Sequence, residues 1–592
     1  MKVKEKSEKI LIITYMVIVG FLLLIMRLWQ LQILQGKEYR KLSEANRLRI
    51  IAIPAPRGII FDRNGIPLVK NSPYYYASLI TKEFDKSKVD SVSKLLNIPA
   101  EEITEKINKN SPSPFVPIRL KEGLPFSEVA YIESRRSDFP GLIIETEVSR
   151  EYIYGDVASH LIGYLGKLNP AQSKDLALKE IPPETFIGQW GVEMLFDKPL
   201  RGTLGKRVIE VDALGREIRL LQEKTPIKGR DITLSIDINL QKEAEKAFGE
   251  RAGALVAIKP DTGEILGMIS KPSFDPNLFA KGISYDKWMA LIHDKKNPML
   301  NRALQSQYPP GSVFKIVTAI AGLEEGVISP ETRVDCRGGI DYGRWHFGCW
   351  RKHGHGVISL HRAIVESCDV FFYEVGRRLG IDKIYAYATS LGLGRKTGIE
   401  LGRERQGLIP NTNWKLENKK HPWYLGETFN AAIGQGYVAV TPLQMAVMTS
   451  TIANGGNLYK PTLIKDAQPI ISGKAKVRPE TLEIIKKGLS GVVNESGGTG
   501  WAAKSQLTSI GGKTGTAQVV AIKRDSQSLP EKFRDHAWFV AFAPVEKPEI
   551  ALSVFVEHGG HGGGTAASIA KRAIEGYMNS KNKKPEIISS LP

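Results

Sequence analysis

Residues 10–26 carry no formal charge, and no comparable apolar run recurs anywhere in the 592-residue chain. The apolar character continues through Leu28, Trp29, Leu31, Ile33 and Leu34, and Arg27 can lay its aliphatic stem along a helix while its charge reaches the interface. A helix over residues 10–34 is therefore long enough to cross a bilayer, which takes about 20 residues. A cleaved signal peptide would have a shorter apolar core followed by small residues. Here large residues and Gln follow, which favours a retained anchor. Lys2, Lys4, Lys6 and Lys9 on one side are matched by Lys37, Arg40, Lys41, Arg47 and Arg49 on the other, so charge counting does not orient the helix. A single span excludes a polytopic fold and puts everything after residue 34 on one side of the membrane.

That remainder is long enough for several domains of about 100–200 residues each. Hydrophobic residues at 42% and charged residues at 24% are globular values, which excludes wholesale disorder. The net charge of +19 suits anionic partners, but the basic residues are spread without a basic tail, so nucleic acid is not the expected partner.

Three regions follow the anchor. Residues 46–228 read as a β-rich α+β pedestal. It opens with apolar runs broken by Asn64-Gly65, a strong hairpin signal. Within it, residues 84–145 alternate helical periods with turns at Pro112, Pro114, Pro117, Pro125 and Pro140, the pattern of a small helical head. Residues 231–237 alternate as a strand and 240–248 as an amphipathic helix, leading into an α/β domain over 250–578. Its apolar strands fall at 254–258, 538–542 and 551–556, and a last helix starts near Thr565. Residues 579–592 read as a flexible polar tail. The Glu-Lys-rich stretch near 415–420 reads as a solvated face. His558-Gly-Gly-His561-Gly-Gly-Gly reads as a flexible turn between the last strand and the last helix rather than a metal or phosphate loop.

Three short segments carry chemistry. Pro309-Pro310-Gly311 breaks the chain just before a helix that starts with Ser312 and puts Lys315 one turn later on the same face. A serine hydroxyl needs a base to become a nucleophile, and a buried lysine near another cation can serve as one. Lys513-Thr514-Gly515-Thr516 follows Gly511-Gly512 and has the small residues of a strand with an open edge, along which an extended substrate can pair. Its lysine and hydroxyls suit a substrate carboxylate. Between the two lies Ser367-Cys368-Asp369.

Ser-x-x-Lys, Ser-x-Asp and Lys-Thr-Gly in this order resemble the penicillin-recognising serine transpeptidases. Arg57-Gly58, Asp62-Arg63-Asn64-Gly65, Gly163-Tyr164, Gly191-Val192-Glu193, Gly434-Gln435-Gly436 and Thr441-Pro442-Leu443-Gln444 extend the resemblance over nearly the whole chain, to the class B penicillin-binding proteins. Ser-x-Asp, where Ser-x-Asn is usual, points to the cell-elongation group, penicillin-binding protein 2, rather than the septal one. The resemblance implies a type II single-pass protein of the cytoplasmic membrane, with residues 1–9 inside and a transpeptidase domain of serine β-lactamase-like fold outside. It implies D,D-transpeptidation of peptidoglycan stem peptides from lipid-linked precursors, and acylation by β-lactams. Ser312 would be the nucleophile, Lys315 the general base, and Ser367 the proton donor to the leaving D-Ala. Asp369 would orient Ser367 or Lys315. Lys513 would help keep Lys315 neutral and, with Thr514, Gly515 and Thr516, hold the substrate carboxylate. The N–H groups of Ser312 and Thr516 would form the oxyanion hole. A SEDS-family, RodA-like glycosyltransferase of the elongation complex is the implied partner. The alternatives are a septal enzyme and a non-catalytic penicillin-binding sensor or scaffold that regulates a glycan polymerase.

All three cysteines lie between Ser312 and Asp369. Cys336, Cys349, His355 and Cys368 make a three-thiol, one-imidazole set of the kind that closes a tetrahedral zinc site. Some relatives of penicillin-binding protein 2 carry zinc at the matching positions, which implies a structural Zn2+ that stiffens the approach to Ser367. His346, His353, Asp335 and Asp341 are alternative ligands. A Cys336–Cys349 disulfide with Cys368 free is the competing reading.

Overall fold

The structure is a computed structural model that describes residues 2–109, 117–169, 172–174, 181, 185–212, 217–519 and 530–582. Pro112 and Pro114 lie outside the described residues. Helix Lys2–Trp29 continues through a π-helical turn, Gln30–Leu34, into helix Gly36–Arg47. The stretch Ile10–Leu34 is long and apolar enough to span a membrane, and its most apolar part is not buried against protein.

The chain divides into two compact units that do not follow a single cut along the sequence. The first gathers residues 1–57, 73–148 and 201–229. Strands Leu48–Ile53, Gly205–Val211 and Glu217–Lys224 form an antiparallel sheet with Gly205–Val211 in the centre. Elsewhere in this unit, helices Val89–Leu96, Ala100–Lys109 and Phe126–Ser134 each bury one face. Val92 with Leu96, Ile103 with Ile107 and Val129 with Ile132 stand one turn apart and cluster with Ala77, Leu79, Leu120 and Leu124. The head is thus not purely helical, because strand Ile118–Leu124 pairs with the end of strand Pro67–Leu79 inside it. Its exposed and buried residues alternate too weakly to signal a strand in the sequence.

The second unit gathers residues 58–72, 149–200 and 230–592. Its hairpin forms where Asn64-Gly65 predicts. Ile60 pairs with Val69, and Asp62 Oδ1 closes the turn by accepting the N–H groups of Asn64 and Ile66 at 2.8 Å. Arg150 and Glu193, both buried, form an ion pair at 2.7 Å, and Arg150 also donates to the Gly58 carbonyl. A five-stranded antiparallel sheet dominates the unit, in the order Ile265–Lys271, Gly253–Ile258, Ile550–Val556, His536–Ala543, Gly511–Ala517. Its strands are near-continuous apolar runs because both faces are covered. Leu255, Ala257, Leu552 and Val554 pack under helices Ile238–Phe248 and Thr565–Asn582. Ala254 and Val256 face helix Pro442–Ala453 on the other side, and Val540 and Phe555 join the cluster around helix Lys315–Glu324.

Three expectations change. The strand expected over 231–237 shrinks to Ile232–Thr233, because Asp237 turns the chain and caps the next helix through the N–H groups of Asn239 and Leu240. The last helix runs on to Asn582, past the expected start of the tail at 579; residues 583–592 lie outside the described residues. Lys415 is not on a solvated face. It is 4% exposed, paired with Glu427, and its ammonium lies 4.9 Å from the centre of the Tyr437 ring.

Candidate active site

The nucleophile segment begins with a single 3₁₀ turn, Gly311–Phe314, which passes directly into helix Lys315–Glu324. Gly311 is the hinge. Its φ of +56° lies in the left-handed region, and a Cβ there would stand 2.3 Å from the Thr516 carbonyl oxygen, so only glycine lets the two backbones come together. Gly515 serves the same purpose from the other strand: its Cβ would meet the Pro310 carbonyl at 2.6 Å. Ser312 is left half-buried and Lys315 fully buried.

Lys315 Nζ donates to Asp369 Oδ1 at 2.6 Å, to the Ser367 carbonyl at 2.8 Å and to Ser367 Oγ at 3.2 Å. Asp369 therefore engages Lys315 directly. Its second oxygen accepts the main-chain N–H of Trp350 at 2.9 Å. Ser367 has a φ of +58°, an uncommon left-handed conformation for a residue with a side chain, held where the chain turns into helix Asp369–Leu379.

Strand Gly511–Ala517 pairs only with His536–Ala543 among the described residues, so its other edge is open. Lys513 is completely buried, and its Nζ donates to the Thr514 carbonyl at 3.3 Å. Burial first, and the charge of Lys315 second, hold the Lys513 ammonium well below the usual lysine pKa, against a smaller opposing pull from Asp369. Thr514 Oγ1 lies 2.8 Å from Thr499 Oγ1, and the Thr516 carbonyl accepts from Gln435 Nε2 at 3.0 Å.

Cys336, Cys349, His355 and Cys368 converge, with one donor atom of each within 4.8 Å of the others. His355 Nδ1 faces the thiols, 3.5 Å from Cys336 Sγ and 3.6 Å from Cys349 Sγ. Its Nε2 is buried without a hydrogen bond and points to the Glu366 carboxylate at 4.0 Å. The three cysteines are free thiols. A hydrogen bond shared between Cys349 and Cys368 lowers the pKa of the former and, with burial, raises that of the latter. His346 is turned away onto Asp341. Three sulfurs and one nitrogen converging in this way can hold a tetrahedral cation.

Lys315, Ser367, Asp369 and Lys513 on one side and Cys336, Cys349, His355 and Cys368 on the other are thus brought into two adjoining clusters, linked by the Ser367–Asp369 segment, whereas Asp335, Asp341 and His346 stay outside them. Trp350, Thr499 and Gln435 were not assigned parts. Gln435 and Thr499 each had a local signal, two flanking glycines; Trp350 becomes a neighbour of the site through a contact 19 residues away.

Residues 253–575 match the penicillin binding protein transpeptidase domain family, and residues 52–234 the penicillin-binding protein dimerisation domain family. The chain belongs to the class B penicillin-binding proteins. It is 36% identical to the peptidoglycan D,D-transpeptidase MrdA of Acinetobacter baumannii, over 96% of this chain and 87% of that one. Among solved structures, penicillin-binding protein 2 of Helicobacter pylori in complex with MreC is similar, with a TM-score of 0.77 and 30% identity over 90% of this chain and 99% of that one. A chain from a peptidoglycan synthase complex that coordinates polymerization and crosslinking is also similar, with a TM-score of 0.76 and 32% identity over 98% of this chain and all of that one. The serine-type transpeptidase domain follows the dimerisation domain and an N-terminal apolar helix.

Proposed function

We infer that this chain is a peptidoglycan D,D-transpeptidase of cell elongation that works through an acyl-enzyme on Ser312. The observation that carries the reading is the Lys315–Asp369–Ser367 hydrogen bonding one turn after Ser312, with Gly311 packed against Thr516 of the open-edged strand and the charges of Lys315 and Asp369 felt at Lys513. An extended stem peptide ending in D-Ala-D-Ala adds to that edge. Its terminal carboxylate meets Thr514, Thr516 and Lys513, whose buried ammonium has no carboxylate partner of its own among the described residues. Lys315 first releases its ammonium proton to Asp369, and its free amine then takes the hydroxyl proton as Ser312 Oγ attacks the penultimate carbonyl carbon. The N–H groups of Ser312 and Thr516 hold the oxyanion, usually the largest single contribution to acyl transfer. The amide C–N bond then breaks, Ser367 passes a proton to the departing D-Ala amine, and an ester to Ser312 remains. The amine of a neighbouring stem peptide attacks that ester, forms the new amide and returns Ser312 to its hydroxyl form. A β-lactam enters as the donor does and stops at the ester. The test is turnover of a D-Ala-D-Ala donor with an amine acceptor: release of D-Ala together with cross-linked product supports the reading, and penicillin binding without either product contradicts it.

The apolar helix at Ile10–Leu34 supports a single-pass anchor, and the membership of the class B penicillin-binding proteins supports a catalytic unit outside the cytoplasmic membrane. The likeness to a chain of a peptidoglycan synthase complex supports a SEDS-family, RodA-like glycosyltransferase as partner.

Cys336, Cys349, His355 and Cys368 fit a structural zinc ion. The donor set has the right chemistry, and Glu366 stands behind His355 as the outer carboxylate that often orients such a ligand. A closed four-ligand zinc ion supplies rigidity and no open coordination position. Its place in the sequence, between Cys349-Trp350 and Cys368-Asp369, would brace Asp369 from both sides. Protein purified without chelator is expected to hold stoichiometric zinc that Cys349→Ser loses; a metal-free wild type contradicts the assignment.

A further inference from the structure

The glycine-rich segment that follows the last strand is not a loose turn. It starts at Glu557, whose main-chain N–H is fixed by the Ala252 carbonyl at 2.8 Å. Glu557 Oε1 accepts two hydrogen bonds, from Tyr308 Oη at 2.5 Å and from Arg302 Nε at 2.9 Å. Arg302 is itself buried and tied to the Lys296 and Asn297 carbonyls, so Glu557 bonds to a fixed point. Tyr308 lies four residues before Ser312. Its ring stacks on Phe555 at 4.0 Å, its main chain exchanges two hydrogen bonds with Val440, and Trp538 Nε1 holds the next carbonyl, that of Pro309, at 3.0 Å.

Past Glu557 the segment presses on the other half of the site. A Cβ on Gly562 would stand 2.3 Å from both the Gly515 and Trp538 carbonyl oxygens, and one on Gly563 would stand 2.3 Å from the Thr499 carbonyl. Thr499 in turn pairs with the Thr514 hydroxyl. Gly562 and Gly563 are therefore required by closeness to backbone, and the segment has one end tied to the nucleophile turn and the other to the Lys513 strand.

We propose that residues 557–564 clamp the Pro309–Ser312 turn in register with the Lys513–Thr516 strand, with Glu557 as the positioning residue that anchors the clamp. This rests on the reading of Ser312 as the acylated residue. Nucleophile and oxyanion donors lie on the two elements so joined, and a misplacement of about 1 Å can cost on the order of 10²-fold in rate.

The test is saturation kinetics of acylation of the full-length protein by a fluorescent penicillin, with the melting temperature followed in parallel. Glu557→Gln and Tyr308→Phe are each expected to lower the saturating rate about tenfold or more while the dissociation constant of the pre-covalent complex stays within about threefold, as a positioning role requires. The double variant is expected to lose less than the sum of the two single effects, because both weaken the Tyr308–Glu557 bond. Gly562→Ala is expected to reproduce the rate loss from the other end. Additive losses, a loss confined to the dissociation constant, or a fall explained by the folded fraction alone would overturn the clamp. A wild type that is not acylated overturns the acyl-enzyme reading and the clamp with it; variants as fast as an acylated wild type overturn the clamp alone.

Discussion

Lys315 and Lys513 are buried to the same degree, 1% and 0% exposed, yet the helix and the strand that carry them treat the charge in opposite ways. On the helix side, Asp369 stands 2.6 Å from the ammonium, Ser367 supplies two oxygens, and the Trp350 N–H occupies the other carboxylate oxygen. On the strand side the ammonium meets a main-chain carbonyl at 3.3 Å and the repulsion of Lys315. A buried charge with no partner is costly, and a fold keeps one where a ligand brings the counter-charge. The helix is a finished ion pair, and the strand is half of one, which on the proposed reading the substrate carboxylate completes.

The comparison breaks most visibly at Lys315. Lys315→Met removes the base and leaves Asp369 buried alone; penicillin acylation is expected to fall about 10³-fold, within the range of general-base losses. The same change lowers stability by about 3 kcal/mol, the usual cost of an orphaned buried partner. Lys315→Met with Asp369→Asn is expected to recover most of that stability in denaturant titrations and none of the acylation. Acylation at the wild-type rate in Lys315→Met would contradict the assignment.

Lys513→Met sharpens the contrast. It orphans no carboxylate, so stability at neutral pH is expected to stay level or rise, while acylation falls about 10²-fold with the loss of one electrostatic contact to the donor. The pH dependence has a definite sign. The folded pKa of Lys513 is depressed, whereas in the unfolded chain it lies near the ordinary 10.5. Between the two values the unfolded state binds more protons, so stability rises with pH across that window. Melting curves of wild type and Lys513→Met should therefore differ most against the wild type at the acid end and converge as the pH approaches 10.5. A constant difference would mean that the ammonium is compensated in the fold.

Much of this was legible in the chain because it is local. The Pro-Pro-Gly breaker before Ser312, the Asn64-Gly65 hairpin, the strands of the large sheet and the apolar helix each rest on short-range pattern. The chemistry-bearing residues were legible through their order along the chain. What stayed hidden depends on distant backbone. Asp369 was placed near Lys315 or Ser367, but the choice between them is made by a contact spanning 54 residues. Glu557, just past the strand at 551–556, has no signal of its own until Tyr308, 249 residues away, is seen to donate to it. Lys415 reads as solvated in a charged run, and only the fold brings Tyr437 and Glu427 over it. The division into two compact units was hidden for the same reason, since residues 58–72 and 149–200 join the unit that holds the catalytic sheet although they precede it in the chain.

The central claim is that Ser312, set at the meeting of helix and strand, is the residue that becomes acylated. Intact mass after exposure to benzylpenicillin tests it most directly. The wild type is expected to gain one penicilloyl adduct that maps to the peptide containing Ser312, and Ser312→Ala, folded by its melting curve, is expected to gain none. An adduct of the same mass surviving in Ser312→Ala would contradict the account.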